Sequence, residues 1–173
     1  MRRVFAVLGT AFFLVLAPGT VAGLVPWWIT RWHVQSATIA RLPVRVGGAL
    51  LAAVGLVVLL DSFARFALKG LGTPAPVFPT QHLVVSGLYR YVRNPMYVAV
   101  LLVIVGQALT FGSIRLLEYA AVAWLTAHVF VVTYEEPTLR ASFGEEYKGF
   151  CAAVPRWIPR LKPWRGEGDS SGA

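Results

Sequence analysis

Polar residues leave four long gaps in this chain. Val4 to Val25 carries no charge, and Val46 to Leu60 is an unbroken uncharged run. The second run extends as a helix to Leu68 if Asp61 and Arg65 sit at an interface. Met96 to Phe111 is short and uncharged, and Ile114 to Tyr134 is apolar after Arg115 and Glu118 near its start. A membrane-crossing helix needs about 20 mostly apolar residues. The pattern therefore predicts an all-α integral membrane protein with about four transmembrane helices, over 4–25, 46–68, 96–111 and 114–134. Gly112-Ser113 between the last two reads as a tight hairpin. A C-terminal helical segment follows over 136–153. Residues 1–165 form one domain, and 166–173 (GEGDSSGA) read as a disordered tail.

Composition sharpens this picture. Of 173 residues, 57% are hydrophobic and 14% are charged, against about 25% charged in an ordinary soluble domain. The chain has 16 Lys and Arg against 8 Asp and Glu, a net charge of +8. The cations sit beside apolar runs rather than along a polar face, which argues against a nucleic-acid partner. With both termini inside, eleven cations fall on the cytoplasmic side (Arg2, Arg3, Lys69, Arg90, Arg93 and six from Arg140 to Arg165). Four fall outside (Arg31, Arg41, Arg45, Arg115). The positive-inside rule supports that orientation, in a bacterial plasma membrane. Arg2-Arg3, an apolar stretch and Thr20-Val21-Ala22 also fit a cleavable signal peptide. The length of the run and the three spans after it favour a retained helix, and Trp27, Trp28 and Trp32 follow it as an aromatic belt.

The two long polar stretches, 69–94 and 135–165, then face the same side. Pro95 disfavours helical geometry at Asn94, making Asn94 an N-cap and Pro95 the first helical residue of the third span. Arg90 and Arg93, three residues apart before that helix N-terminus, form a plausible clamp for a carboxylate or phosphate; the bland alternative is snorkelling to lipid headgroups. Glu135-Glu136 ends the fourth span. Successive helical residues diverge by about 100°, so one can face a pocket while the other meets a cation or water. Pro137 leaves the Thr133 carbonyl without its helical donor and kinks the helix. Asp61 precedes Arg65 by four residues, an interfacial ion pair. Glu145-Glu146 reads as a solvated face. His82 lies in the loop between spans two and three. His33 and His128 fall far from that side, so no three-histidine metal site is expected. The lone Cys151 reads as a packing residue.

Gly87-Leu-Tyr-Arg-Tyr-Val-Arg-Asn-Pro-Met-Tyr97, Glu135-Glu136, Phe143-Gly-Glu-Glu-Tyr147 and Val154-Pro-Arg-Trp-Ile-Pro159 resemble the isoprenylcysteine carboxyl methyltransferases and the related membrane phospholipid N-methyltransferases. The resemblance runs from about 70 to 160. It implies a methyltransferase using S-adenosylmethionine, bound at the cytoplasmic ends of the last spans, and acting on a lipid-like acceptor from the bilayer. Arg90, Arg93, Asn94, Tyr97, Glu135 and Glu136 become the cofactor-binding set by that resemblance. Gly70-Leu71-Gly72 is a weaker Gly-x-Gly element, and Tyr89 is an aromatic neighbour for the cofactor. Arg93, Glu136 and His82 become the catalytic candidates; Glu136, Glu135 or His82 could take the proton from an amine. Asn94 stands where the carboxyl methyltransferases carry histidine, which tilts the acceptor toward an amine over a prenylcysteine-like carboxylate. A non-enzymatic membrane subunit is the rival reading, and it predicts no cofactor binding.

Overall fold

The computed structural model describes residues 2–34, 41–69, 83 and 85–164. Among them every regular element is helical. They are α1 (Arg2–Gly19), a π-turn (Thr20–Leu24), α2 (Val25–Thr30), α3 (Leu42–Lys69), a short 3-10 turn (Gly87–Arg90), α4 (Pro95–Phe111), α5 (Ile114–Phe130), a second π-turn (Val131–Glu135) and α6 (Glu136–Ala153). Three helical stretches are long and apolar enough to cross a membrane: Ala11–Thr30, Leu42–Arg65 and Ile114–Ala153. At about 1.5 Å per residue the last would extend about 60 Å, twice the hydrocarbon core, so only its first half fits within the bilayer. α4 is equally apolar but has 17 residues, about 26 Å. Residues 70–82 and 165–173, which include Gly70, Gly72, His82 and the tail expected from the sequence, lie outside the described residues.

The bundle is organised around α3 and α4, which run antiparallel in close contact. Lipid is as apolar as leucine, so helices in a membrane associate through close packing of small residues rather than hydrophobic expulsion. Here Gly48 meets Gly106 and Gly55 meets Ala99. A Cβ added at Gly48 would stand 2.7 Å from the Gly106 carbonyl oxygen, and one at Gly55 would stand 2.9 Å from that of Ala99. α5 returns beside α4 through Gly112, whose φ of 67° closes the hairpin expected there. Leu59, Phe63 and Ala99 make one core cluster; Ala22, Ile104 and Ala120 make another. Asp61 and Arg65 form the expected ion pair at 2.7 Å.

The first span is held by polar groups. Pro26 has no N–H to return to Ala22, four residues back, or Val21, five back. The π-turn reroutes the ladder, with the Val25 N–H donating to Thr20. The orphaned carbonyls find side chains instead. Gln107 on α4 donates to the Ala22 oxygen at 2.7 Å, and Tyr119 on α5 donates to the Val21 oxygen at 2.9 Å. An unsatisfied carbonyl in lipid is costly, so these bonds fix where α1 docks.

Two outcomes follow from this packing. Gly106→Val forces overpacking against the Ala52 backbone and lowers stability by about 1–3 kcal/mol, whereas Gly47→Ala, facing open space, does not. Unfolding by denaturing detergent measures both. Gln107→Leu leaves the Ala22 carbonyl unpaired and lowers stability by about 0.6–1.7 kcal/mol; an unchanged unfolding curve would refute the docking role.

Candidate functional site

At the end of the bundle where α3 stops and α4 starts, a segment without regular structure, residues 154–164, lies against the backbone of 90–94. The Arg93 N–H donates to the Pro155 oxygen (2.9 Å), the Arg160 N–H to Tyr91 (3.0 Å) and the Trp164 N–H to Arg90 (2.9 Å). Arg90 Nε donates to the Trp164 oxygen at 2.6 Å. Asn94 does not cap α4. It occupies the expected position before Pro95, but its side chain makes no capping bond; its Nδ2 donates to the Arg156 oxygen at 3.2 Å. The strap offers that amide a fixed carbonyl, and Pro95, with no N–H, leaves one fewer free donor at the helix start.

The two adjacent glutamates separate. Pro137 leaves Thr133 without its helical donor, and the ladder again slips into a π-turn, with the Glu136 N–H donating to Val131. Glu136 is 5% exposed and points into arginines. Arg156 reaches it with Nε at 2.6 Å and a second nitrogen at 3.0 Å, Arg93 with Nη1 at 3.0 Å, and Arg140 at 3.9 Å. Burial raises the cost of its charge, but the hydrogen bond from Arg156 and the three cations outweigh it and hold this carboxyl, beyond the end of the span, below the usual range. Glu135 faces the other way. Tyr97 donates to its Oε2 at 3.0 Å.

Glu135 lines a cavity of about 490 Å³ that runs from this end into the bundle. Its mouth carries Tyr89, Arg93, Asn94 and Tyr97. Its body is apolar, with Phe13 and Val21 from the first span and Val100, Ala123 and Phe130 from α4 and α5. Tyr119 lies in the same wall. Arg93 spans both environments. Nη1 binds Glu136 and lies 2.9 Å from Cys151 Sγ, whereas its buried Nε has no acceptor among the described residues. Burial, then the Glu135 charge, pushes the Tyr89 phenol up, so it stays protonated.

The expected site residues thus distribute unevenly. Tyr89, Arg93, Asn94, Tyr97 and Glu135 share the cavity. Glu136 stands behind it in the arginine cluster and is absent from its lining. Arg90 lines a different cleft, with Asp61 and Arg65, so the two arginines do not form one clamp. Gly70, Gly72 and His82 lie outside the described residues. His128 is nearer than the sequence suggests. Its Nδ1 accepts from Trp157 Nε1 at 3.0 Å, and the Trp157 ring is 6.3 Å from Tyr97; the strap brings Trp157 back to α5. Cys151 packs in the cluster of Tyr147, Phe150 and Val154, and Glu145 and Glu146 are exposed. Sequence reasoning missed Arg156 and the apolar lining. Pro155, Pro159 and Pro163 were the available sign of an extended strap.

Among the described residues, no three His, Cys, Asp or Glu side chains converge to hold a metal. No solved structure matches the chain. It is 33% identical over 85 residues to the cobalt-zinc-cadmium resistance protein CzcN of Cupriavidus metallidurans, covering 49% of this chain and 39% of that one. It is 33% identical over 80 residues to the protein-S-isoprenylcysteine O-methyltransferase of Schizosaccharomyces pombe, covering 46% of this chain and 34% of that one. The matches thus span well under half of these curated relatives. The phospholipid methyltransferase profile matches residues 44–146, a stretch that contains α4, α5, both glutamates and all the polar residues at the cavity mouth. By that match, the chain belongs to the phospholipid methyltransferase family.

Proposed function

We propose that this membrane methyltransferase uses S-adenosylmethionine and transfers the methyl group to a lipid-like acceptor entering from the bilayer, with the cavity mouth at the cytoplasmic face. The cavity carries this reading: a polar mouth with an unmatched guanidinium N–H and a carboxylate, continuous with an apolar body between helices. Its volume falls within the range of small-molecule sites. S-adenosylmethionine, when bound, supplies a methyl group on a sulfonium that is already a good leaving group.

The residues provide position. Arg93 Nε–H is a charge-assisted donor for an amino-acid carboxylate, and its Nη1 is anchored on Glu136, so the donor is held without ligand. Glu135 is the carboxylate lining the cavity among the described residues, and the Tyr97 hydroxyl fixes its orientation. One oxygen accepts from Tyr97, and the group retains lone pairs for an ammonium or ribose hydroxyls. The rings of Tyr89 and Tyr97 offer π faces to a cation. The apolar body excludes water and suits a hydrocarbon chain. A carboxylate acceptor needs no base; an amine must lose a proton, and Glu135 is the described group in reach of the cavity to hold it. Glu136 suits the catalytic role less well, because a carboxylate stabilised by three cations is a poor proton acceptor.

The glutamates therefore differ on substitution. Glu135→Gln weakens S-adenosylhomocysteine binding about tenfold or more, consistent with loss of a charge-assisted bond, and leaves stability near wild type. Glu136→Gln leaves the buried Arg93 guanidinium without its counter-charge and destabilises the fold by about 3–5 kcal/mol. Calorimetry and detergent unfolding separate the two, and the reverse pattern would exchange their roles. For activity, lipid extracts from expressing cells should contain species heavier by one methylene, absent with Arg93→Gln. No cofactor binding by intact protein would favour the non-enzymatic subunit.

A further inference from the structure

The strap over residues 154–164 is turned inside out with respect to water. Ile158 and Leu161 are 78% and 99% exposed, whereas its arginines turn inward. Arg156 binds Glu136, and Arg160 Nη1 donates to the Ala153 oxygen at 2.7 Å. The neighbouring cluster of Tyr147, Phe150 and Val154 takes in Trp164 but neither Ile158 nor Leu161. Water solvates guanidiniums and expels aliphatic side chains, so a strap surrounded by water favours the opposite arrangement.

Two helices give the depth at which the strap lies. On α5, the exposed Arg115 and Glu118 mark the far water boundary. From Ile114 to His128 is about 21 Å along the axis, within the roughly 30 Å hydrocarbon core. Trp157 donates to His128 Nδ1 at 3.0 Å, and its ring lies 6.4 Å from that of Trp124. Leu125 and Val129 of the same helix are exposed, so the strap reaches a stretch of α5 that faces lipid. On α4, Pro95 stands about 26 Å from the Gly112 hairpin. The strap's main chain pairs with residues 90–93, just before that proline. Both distances put the strap at the near edge of the hydrocarbon, the zone in which tryptophan side chains concentrate.

We propose that the strap docks on the lipid surface of the bilayer, with Ile158 and Leu161 inserted among the upper acyl chains. The exposed Lys162 beside Leu161 then extends from the apolar layer to the headgroups. The docked face is continuous with the lipid-facing side of α5, through Trp157. Because the Trp157 ring is 6.3 Å from that of Tyr97, docking also holds the cavity mouth at headgroup depth. The contact involves no cofactor or acceptor and does not depend on the methyltransferase assignment.

The test is fluorescence quenching of the full chain in nanodiscs of phosphatidylcholine and phosphatidylglycerol. A thiol-reactive bimane is attached after Ile158→Cys, Leu161→Cys or, as a water-facing control, Glu145→Cys. The signal from Cys151 is measured in the labelled natural chain and subtracted. These three side chains are exposed, so the substitutions leave the packing intact. Lipids carrying a nitroxide near the headgroup should quench the labels at 158 and 161 several-fold more than the label at 145. A nitroxide at the chain end should quench them less, and aqueous iodide should quench 145 several-fold more than either. Equal lipid quenching at the three positions, or iodide reaching 158 or 161 as readily as 145, overturns the proposal. Protection of 158 and 161 from both quenchers also overturns it, because protein then covers the strap. Stronger quenching from the chain end than from the headgroup region overturns the interfacial depth and the proposal with it.

Discussion

The ion cluster on Glu136 joins three parts of the chain that share no regular hydrogen-bond ladder. Arg93 comes from the turn before α4, Arg140 from the first turns of α6, and Arg156 from the strap. A buried carboxylate among cations is tolerable only when its oxygens are matched by donors, and here they are. Arg156 engages both oxygens, and Arg93 adds a third bond. This closes the end of the bundle and aims the Arg93 side chain. Without the cluster, the cavity would lose the anchor of its cationic wall, and the strap one of its side-chain ties.

The two π-turns answer a common constraint. Each precedes a proline, Pro26 or Pro137, that cannot return a hydrogen bond to the preceding turn. In lipid the orphaned carbonyls need another donor. At the first site, Gln107 and Tyr119 supply it and tie α1 to α4 and α5. At the second, the slipped register turns Glu135 toward Tyr97 and Glu136 toward the arginines. A backbone irregularity at one end of the bundle thus docks a helix, and at the other it sends two identical side chains into different surroundings.

The membrane helices were legible because a bilayer demands long apolar runs, and such runs stand out against any background. Asp61–Arg65 and the Gly112 hairpin were legible because both are local. The site was legible only in part. Arg90 and Arg93 share a face only if one helix carries both; the turn ends at Arg90, and the two side chains part around it. Neighbouring glutamates must diverge, but which faces the cavity depends on the π register, which periodicity does not encode. Arg156 lies 20 residues from its partner, in a segment with no repeating pattern. Asn94 is a sensible cap by local rules, and a strap distant in sequence overrides them.

The strap is fastened mainly through main-chain atoms. Three of its bonds run between backbone N–H and C=O groups, and two more end on its carbonyls. A carbonyl accepts equally whatever side chain its residue carries. Most strap positions can therefore change side chain while the frame of the site keeps its shape, and the chemistry displayed at the rim is separable from the architecture that holds it.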